Sequence, residues 1–151
     1  MYYIAVVLLL LVLPAASVVV EALYSSGADI MWLVGKWFVF WACGVRLLAG
    51  GLMQTLRPEF TAKSIFEIDA PAAHAIVREV GFGNLAMGTL GIASLFEPSW
   101  VVPAAIVGGL YYGFAGLGHV LRRGNLKERF ALWSDLAISA LLAVFVLSRL
   151  G

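Results

Sequence analysis

The sequence predicts an all-α, polytopic transmembrane helical bundle of about five spans, and three observations lead to that prediction. Of the 151 residues, 62% are hydrophobic and only 13% are charged, and the mean hydropathy is +0.96. Soluble domains are roughly 45–50% apolar and about 25% charged, so a small soluble core cannot bury this excess. The apolar residues also form runs of about 20 residues, the length of a helix that crosses ~30 Å of hydrocarbon. Open strands would leave their backbone groups unpaired in lipid, so we expect helices in a single transmembrane domain, residues 1–151.

The spans are expected at five apolar runs. They cover approximately residues 2–22, 30–56, 75–96, 100–121 and 130–149. The first run lacks a basic segment before it and stays apolar to Val20, so we expect a retained helix rather than a secretory signal peptide. Pro14 cannot donate a helical hydrogen bond and is expected to kink this helix.

Basic residues in the loops predict the orientation. The stretch RRGNLKER, residues 122–129, contains four basic residues, whereas the turn EPS, residues 97–99, contains none. The positive-inside rule places the first of these loops in the cytoplasm. We therefore expect a multi-pass protein of the bacterial inner (plasma) membrane, with its amino terminus cytoplasmic and its carboxyl terminus outside. The connection at 56–72 would also be cytoplasmic, either as a short amphipathic segment on the membrane surface or as a solvated loop.

Ionisable residues inside the runs are the candidates for a functional site, because a charged group at a helix centre costs about 3 kcal/mol on membrane insertion. Counting along each helix at about 1.5 Å per residue places one such residue from each of runs two to five in the cytoplasmic half of the bilayer. These residues are Arg46, Glu79, His119 and Asp135. They predict one buried polar cluster, in which a carboxylate neutralises Arg46. We expect Glu79 to be that carboxylate and Asp135 to be the second candidate. The cluster is either a ligand or proton site, or an ion pair that only holds helices together.

Two further polar residues are possible pocket-lining residues. Tyr112 shares a helix face with Gly116 and His119, and Asn84 lies among the glycines of run three. Glycine-rich faces are typical of closely packed membrane helices, so ordinary packing is the alternative interpretation. Run three has small residues on two faces and is expected to be a central helix approached by two neighbours.

Other classes of function are excluded or disfavoured by what the sequence lacks. It contains no HExxH or CxxC motif, and its two histidines lie in different segments, so we expect no metal. It also contains no GxSxG elbow and no phosphate-binding loop. A net charge of +1 offers no basic stripe for nucleic acid. We therefore expect no cofactor of its own, with a quinone as the one possibility left open.

Two motifs resemble those of DoxX-like membrane proteins. They are RLLAGGLMQ, residues 46–54, and REVGFGNLAMGTLGIASLFEP, residues 78–98, and two further spans divided by a basic loop follow them. In that family, a four-helix core carries an Arg followed by glycines in its first helix and a Glu followed by a glycine-rich run in its second. The residues that match are Arg46 and Gly50 in the first motif and Glu79, Gly83 and Gly88 in the second.

The resemblance covers about residues 36–149 and leaves run one as an added helix. The stretch GGLYYGFAGLGHVLRRGN, residues 108–125, is closer still to an uncharacterised bacterial family of small integral membrane proteins. DoxX-like relatives include proteins linked to thiosulfate:quinone chemistry and others that act as accessory or assembly factors.

Three functions are compatible with these features of the sequence. We expect first a non-catalytic accessory or lipophilic-ligand-binding bundle, whose partners are membrane lipid and either a membrane-complex subunit or a second copy of the chain. The first alternative is a quinone-linked redox subunit, with Arg46, Glu79 and His119 around the quinone headgroup. Because the chain has no evident redox centre, that function needs a partner subunit. The second alternative is a proton-coupled small transporter, in which Glu79 or Asp135 carries protons.

Overall fold

A computed structural model describes residues 2–120 and 126–150, apart from the side chains of Tyr2, His119 and Lys127. Helices make up most of these residues and none of them forms a strand, which confirms the all-α class. The helices are α1 (segments Tyr2–Val7, Leu8–Val12 and Leu13–Tyr24), α2 (segments Ile30–Phe38, Val39–Arg46 and Leu47–Leu56), α3 (Pro58–Ser64), α4 (Pro71–Ala93), α5 (Val101–Val120) and α6 (Leu126–Leu150).

Local sequence signals explain where several helices begin. Asp29 caps α2, because its Oδ1 accepts a hydrogen bond of 3.1 Å from the backbone N–H of Trp32, a common N-cap arrangement. Pro58 and Pro71 occupy the first positions of α3 and α4, where proline needs no hydrogen-bond partner and already has a helical φ. Gly27, with φ +76°, provides the turn between α1 and α2 that a side chain would disfavour.

Within residues 2–120 and 126–150, four helical stretches are long and apolar enough to cross a membrane, so the chain has the character of a multi-pass membrane protein. They are Tyr3–Tyr24, Ile30–Leu56, Pro98–Gly118 and Glu128–Leu150. Helix α4 is not one of these four, although its 23 residues make it about 35 Å long at 1.5 Å per residue. The bundle therefore has four to five spans, depending on how α4 is counted.

Helices α2 and α4 form one antiparallel pair, here called the first pair. The contacts along their seam run in opposite directions on the two helices: Gly91 lies against Gly44, Gly88 against Leu48, and Gly81 against Thr55. A Cβ atom on Gly88 would stand only 2.5 Å from the backbone nitrogen of Leu48. Close backbone approach of this kind requires small residues in membrane helices, and glycine is what the seam contains.

Helices α5 and α6 form a second antiparallel pair. Its seam is also glycine-rich: Gly109 faces Leu142, Gly113 faces Ser139, and Gly116 faces Leu136. Ser139 adds a hydrogen bond across the seam, because its hydroxyl donates to the backbone oxygen of Gly109 at 2.8 Å. Buried apolar residues then join the two pairs and α1 into one core, among them Val6, Phe38, Val39, Leu142 and Phe145.

The expectation that α4 is approached closely on two faces is corrected by the structure. Its buried face runs through Gly81, Asn84 and Gly88, whereas Gly83 and Ala86 on another face are exposed. Small residues occur on both faces, but only one faces α2. Composition alone could not distinguish them, because a small residue is equally compatible with a tight seam and with an open surface.

Helices α1 and α2 each contain a π-helical segment. In α1 it is Leu8–Val12, just before Pro14, so the disturbance expected at this proline takes the form of a widened turn. In α2 it is Val39–Arg46, which ends on Arg46 itself. Such segments are rare and are frequent at functional sites.

A polar cluster, here called the Glu21 cluster, fastens α1 to α2. Lys36 Nζ lies 2.8 Å from both carboxylate oxygens of Glu21, and Trp37 Nε1 donates to Glu21 Oε2 at 2.6 Å. Nearby, Trp41 Nε1 donates to the hydroxyl of Ser17 at 3.0 Å. Lys36, which apolar surroundings would otherwise penalise, is therefore neutralised within the cluster.

Candidate functional site

An ion pair between Arg46 and Asp135 joins the two helix pairs. Arg46 Nη2 and Asp135 Oδ1 are 3.2 Å apart, and 17% of the Arg46 side chain and 7% of the Asp135 side chain are exposed. A guanidinium held away from water is tolerated when a carboxylate pairs with it. The structure thus places a carboxylate beside Arg46 and identifies it as Asp135.

Tyr112 of α5 contacts Arg46 from the second pair. Arg46 Cζ lies 5.1 Å from the centre of the Tyr112 ring, within the range of cation–π attraction. Tyr112 is 1% exposed, and its hydroxyl donates to the backbone oxygen of Ala42 in the π segment of α2. Tyr112 therefore holds both the guanidinium and the helical turn that precedes it. Arg46, Tyr112 and Asp135 are called the Arg46 site below.

Glu79, expected to be the first partner of Arg46, is exposed on α4, and this expectation is corrected. Two features explain its position. Thr55, next to the last residue of α2, lies against Gly81, so Glu79 sits about where α2 ends rather than deep inside the bundle. Glu79 is also two residues from Gly81, which turns it to the far side of the helix from the buried face. The predicted depth of Glu79 requires run three to start at the membrane surface. In the structure, the first turns of α4 instead extend past the end of α2.

His119, the remaining predicted member of the cluster, lies in α5 close to its end at Val120. Its side chain falls outside the described part of the structure, as do residues 122–125 of the basic loop. The participation of His119 in the Arg46 site therefore stays a prediction.

Asn84, one of the two expected pocket-lining residues, lies in a second group of polar side chains next to the Arg46 site. It is 4% exposed, and its Nδ2 donates to Gln54 Oε1 of α2 at 2.7 Å. Tyr111 of α5 lies next to the Asn84 side chain and within electrostatic range of Arg46 and Asp135. Gln54, Thr55, Asn84 and Tyr111 are called the Asn84 cluster below.

Two buried atoms of the Asn84 cluster have no hydrogen-bond partner among the described residues. They are Asn84 Oδ1 and Thr55 Oγ1. Leaving a buried polar atom unpaired costs roughly 1–3 kcal/mol, and such atoms in folded proteins call for an explanation, such as a water or a ligand that pairs with them. The Asn84 cluster is therefore incomplete as the polypeptide alone builds it.

The first pair carries an open apolar groove of about 330 Å³ on its surface. Leu48 of α2 and Thr89, Ile92, Ala93 and Phe96 of α4 or the turn after it line this groove. Its lining is suited to a hydrocarbon chain. No group of three or more His, Cys, Asp or Glu side chains in a metal-binding arrangement occurs among the described residues.

Several polar residues of the interior were not singled out from the sequence. Gln54 and Thr55 stand together at the end of an apolar run, which was the available signal, since amide and hydroxyl side chains are costly there without partners. Glu128 is 7% exposed and lies seven residues before Asp135, two helical turns away on the same face of α6. The sequence did not indicate that Glu128 is buried, because it stands within a charged stretch that is typical of a loop.

Comparisons with known proteins identify the family. A model described as a family of unknown function (DUF6790) matches residues 1–149, so the chain belongs to that family. Comparisons with curated proteins and with solved structures give no match.

Proposed function

We propose that this member of the DUF6790 family is a non-catalytic accessory protein of the membrane that binds a lipophilic ligand, with the polar headgroup of the ligand at the Arg46 site. The observation that carries the proposal is the Arg46 side chain, 17% exposed, whose guanidinium lies between Asp135 and the Tyr112 ring at the junction of the two helix pairs. A guanidinium fixed in this way has little conformational entropy to lose on binding, and it favours oxygen-rich or anionic groups.

The position of the Arg46 site supports this function. A polar site in a helical bundle is commonly built from side chains on facing helices, and here α2, α5 and α6 each contribute one residue. The groove of about 330 Å³ on the first pair provides apolar surface for a hydrocarbon tail. The alternative is that Arg46 and Asp135 serve only to hold the helices together.

We also propose that α4 is a fifth span and that the protein lies in the inner (plasma) membrane with its amino terminus in the cytoplasm. Support comes from the basic stretch at 122–129 and from the antiparallel course of α4 beside α2. Single cysteines at Ser99 and Lys63, both exposed, would test the topology by labelling from each side of the membrane. Ser99→Cys should react from outside and Lys63→Cys from the cytoplasm. Reaction of both from one side would refute the fifth span.

Native mass spectrometry of protein extracted gently from its own membranes tests the ligand-binding function. We expect a lipophilic molecule of discrete mass on the wild-type protein and its loss from Arg46→Gln. Lys36→Gln is the matched control, because it removes a cation from the Glu21 cluster and should leave the ligand bound. A protein subunit retained in place of a small molecule would point to assembly of a complex, and a retained quinone would favour the quinone-linked alternative.

The double variant Arg46→Leu with Asp135→Leu distinguishes the ligand site from a purely structural pair. Replacing both members of a buried ion pair with apolar residues is often neutral for stability. If this variant folds normally and loses the ligand, the site binds it. If it folds normally and keeps the ligand, the pair is structural and the proposed function fails.

A second candidate function, proton-coupled transport, is favoured by one observation. Glu128 and Asp135, both buried, lie about 10 Å apart along α6 at 1.5 Å per residue, and buried carboxylates mark proton relays in membrane proteins. Proteoliposomes carrying a pH-sensitive dye should then show proton flux that Asp135→Asn abolishes. Flux equal to that of empty liposomes would remove this candidate.

A further inference from the structure

The incompletely bonded Asn84 side chain is the starting point for an inference that rests on the proposed function and specifies its ligand. Asn84 is 4% exposed, and its Nδ2 bonds Gln54 while its Oδ1 has no donor within the described part of the chain. The other three members of the Asn84 cluster are only partly buried. Asn84 is therefore the most deeply buried member of the cluster.

The chemistry of the two unpaired atoms restricts what can bind there. Asn84 Oδ1 is only an acceptor, so an incoming group must bring a hydrogen-bond donor. Thr55 Oγ1, also unpaired, packs against Gly81, one helical turn from Asn84 on the same seam. A hydroxyl group can donate to Asn84 and accept from Thr55, and so complements both.

The surroundings disfavour a charged donor. An ammonium group bound there would lose its hydration in an apolar bundle, while Arg46 and Asp135, both within electrostatic range of Tyr111, would act on it in opposite directions. A neutral hydroxyl avoids most of this cost. The rest of the molecule must be apolar, because exposed apolar side chains, Leu52 and Met53 before Gln54 and Phe82 before Asn84, adjoin the cluster.

We propose that the Asn84 cluster binds the hydroxyl group of a lipophilic alcohol, which donates to Asn84 Oδ1 and accepts from the Thr55 hydroxyl. The alcohol is either a single-chain amphiphile or a glycerolipid with a free hydroxyl, since both present the same group. Its hydrocarbon part lies along the lipid-facing surface of the bundle.

Photolabelling in lipid nanodiscs tests this site. The probes are hexadecanol with a diazirine on its chain, the methyl ether of the same molecule, and a diacylglycerol with the same diazirine. Peptides that contain Asn84 or Tyr111 should be labelled by an alcohol about fivefold more than by the ether, the factor that one net hydrogen bond provides. Preference for hexadecanol or for diacylglycerol identifies the source of the hydroxyl.

Two variants keep the result interpretable. Asn84→Leu removes the acceptor and should reduce alcohol labelling to the level of the ether. Ser139→Ala removes another hydrogen bond between helices, the one from Ser139 to the backbone oxygen of Gly109, and leaves the Asn84 cluster intact, so labelling should persist. Both variants are first checked for wild-type helicity and elution volume.

Three outcomes would overturn the inference: equal labelling by alcohol and ether, labelling unchanged in Asn84→Leu, or equal loss in both variants. The first two are expected if only a water occupies the site, and the third if labelling depends on helix packing rather than on Asn84. A native ligand that is lost from Arg46→Gln, together with a failed alcohol test, would refute this inference and leave the proposed function standing. Alcohol labelling of a protein that retains no native ligand would support this inference and refute the proposed function.

Discussion

Two of the ion pairs that join helices in this bundle are built differently. In the Glu21 cluster, both carboxylate oxygens of Glu21 accept hydrogen bonds, at 2.8 Å from Lys36 and at 2.6 Å from Trp37, and the residues are 15 and 16 positions apart on consecutive helices. At the Arg46 site, the partners are 89 positions apart and meet at 3.2 Å. Beside that site lies the Asn84 cluster, two of whose buried atoms have no hydrogen-bond partner in the described part of the chain.

This difference distinguishes an ion pair that only holds helices together from a site that binds a ligand. A fully paired cluster between consecutive helices does what a structural contact requires, and adding a ligand to it would break existing hydrogen bonds. A fixed charge beside unpaired acceptors gains hydrogen bonds when a ligand arrives. The charge of a residue inside a membrane helix does not by itself show whether the residue holds helices together or binds a ligand. A better indicator is whether the polar atoms around it all have hydrogen-bond partners.

The largest effect is expected at the Arg46 site. Asp135→Leu leaves the Arg46 guanidinium without its carboxylate in an apolar bundle, and breaking a buried pair on one side costs roughly 3–5 kcal/mol. The free energy of unfolding should fall by about 3 kcal/mol, measured by denaturant titration in mild detergent. Adding Arg46→Leu should restore most of the loss. If Asp135→Leu were as stable as the wild type, the pair would not be needed to accommodate Arg46.

The second effect concerns the seam that positions Arg46. Gly88→Ala places a methyl group against the backbone of Leu48, and overpacking of this kind costs roughly 1–3 kcal/mol. Gly83→Ala is the matched control, because a Cβ there meets nothing within 4 Å. Thermal unfolding should show a lower midpoint for Gly88→Ala alone. Equal midpoints would mean that the first pair can separate without cost.

A smaller effect is expected at the Glu21 cluster. Glu21→Leu leaves Lys36 unpaired, but 23% of the Lys36 side chain is already exposed, and a lysine can extend its ammonium group toward the membrane surface. We expect a loss of about 1 kcal/mol, in the range of one hydrogen bond, by the same titration. Ligand retention should not change. A loss as large as that of Asp135→Leu would show that the two ion pairs contribute equally to stability.

The smallest effect is a pH dependence at Asp29. Hydrogen bonds from Arg149 and, less strongly, from the Trp32 backbone lower the pKa of Asp29 from its ordinary value. The folded-state pKa thus lies below the unfolded value of about 3.9, so the stabilisation is complete above that pH and is lost as the pH falls through the folded-state pKa. Unfolding midpoints between pH 7 and pH 3 should decline at the acid end less steeply in Asp29→Asn. Identical profiles would show that Asp29 contributes nothing.

Much of the fold could be predicted from the sequence, because the length of an apolar run nearly fixes a membrane helix. The run at 30–56 coincides with the stretch Ile30–Leu56, and the last run, 130–149, lies within Leu126–Leu150. The third run was the least accurate. Its helix begins earlier, at Pro71, because proline is favoured in the first turn of a helix, whereas the predicted run starts only after His74.

The candidate site was only partly predictable. Arg46 stood out as a charge in an apolar run, and Asp135 was recognised as one of its possible partners. The choice of Glu79 over Asp135 failed, because it depends on how far each helix is rotated, and that rotation is set by the glycine seams. Periodicity identifies the faces of a helix, but it does not say which face a neighbouring helix covers.

The π segment of α2 changes how the length of that helix should be understood. Hydrogen bonds in a π turn span five residues instead of four, so Val39–Arg46 contains more chain than an α-helix of the same rise. A helical wheel that starts at Trp32 therefore loses its phase before it reaches Arg46. In evolutionary terms the segment behaves like an insertion that the helix has absorbed locally, without displacing the residues on either side. Deletion of one residue there would restore the α-helical phase. A change in chain length could therefore turn the Arg46 side chain toward a different face of the helix without any substitution.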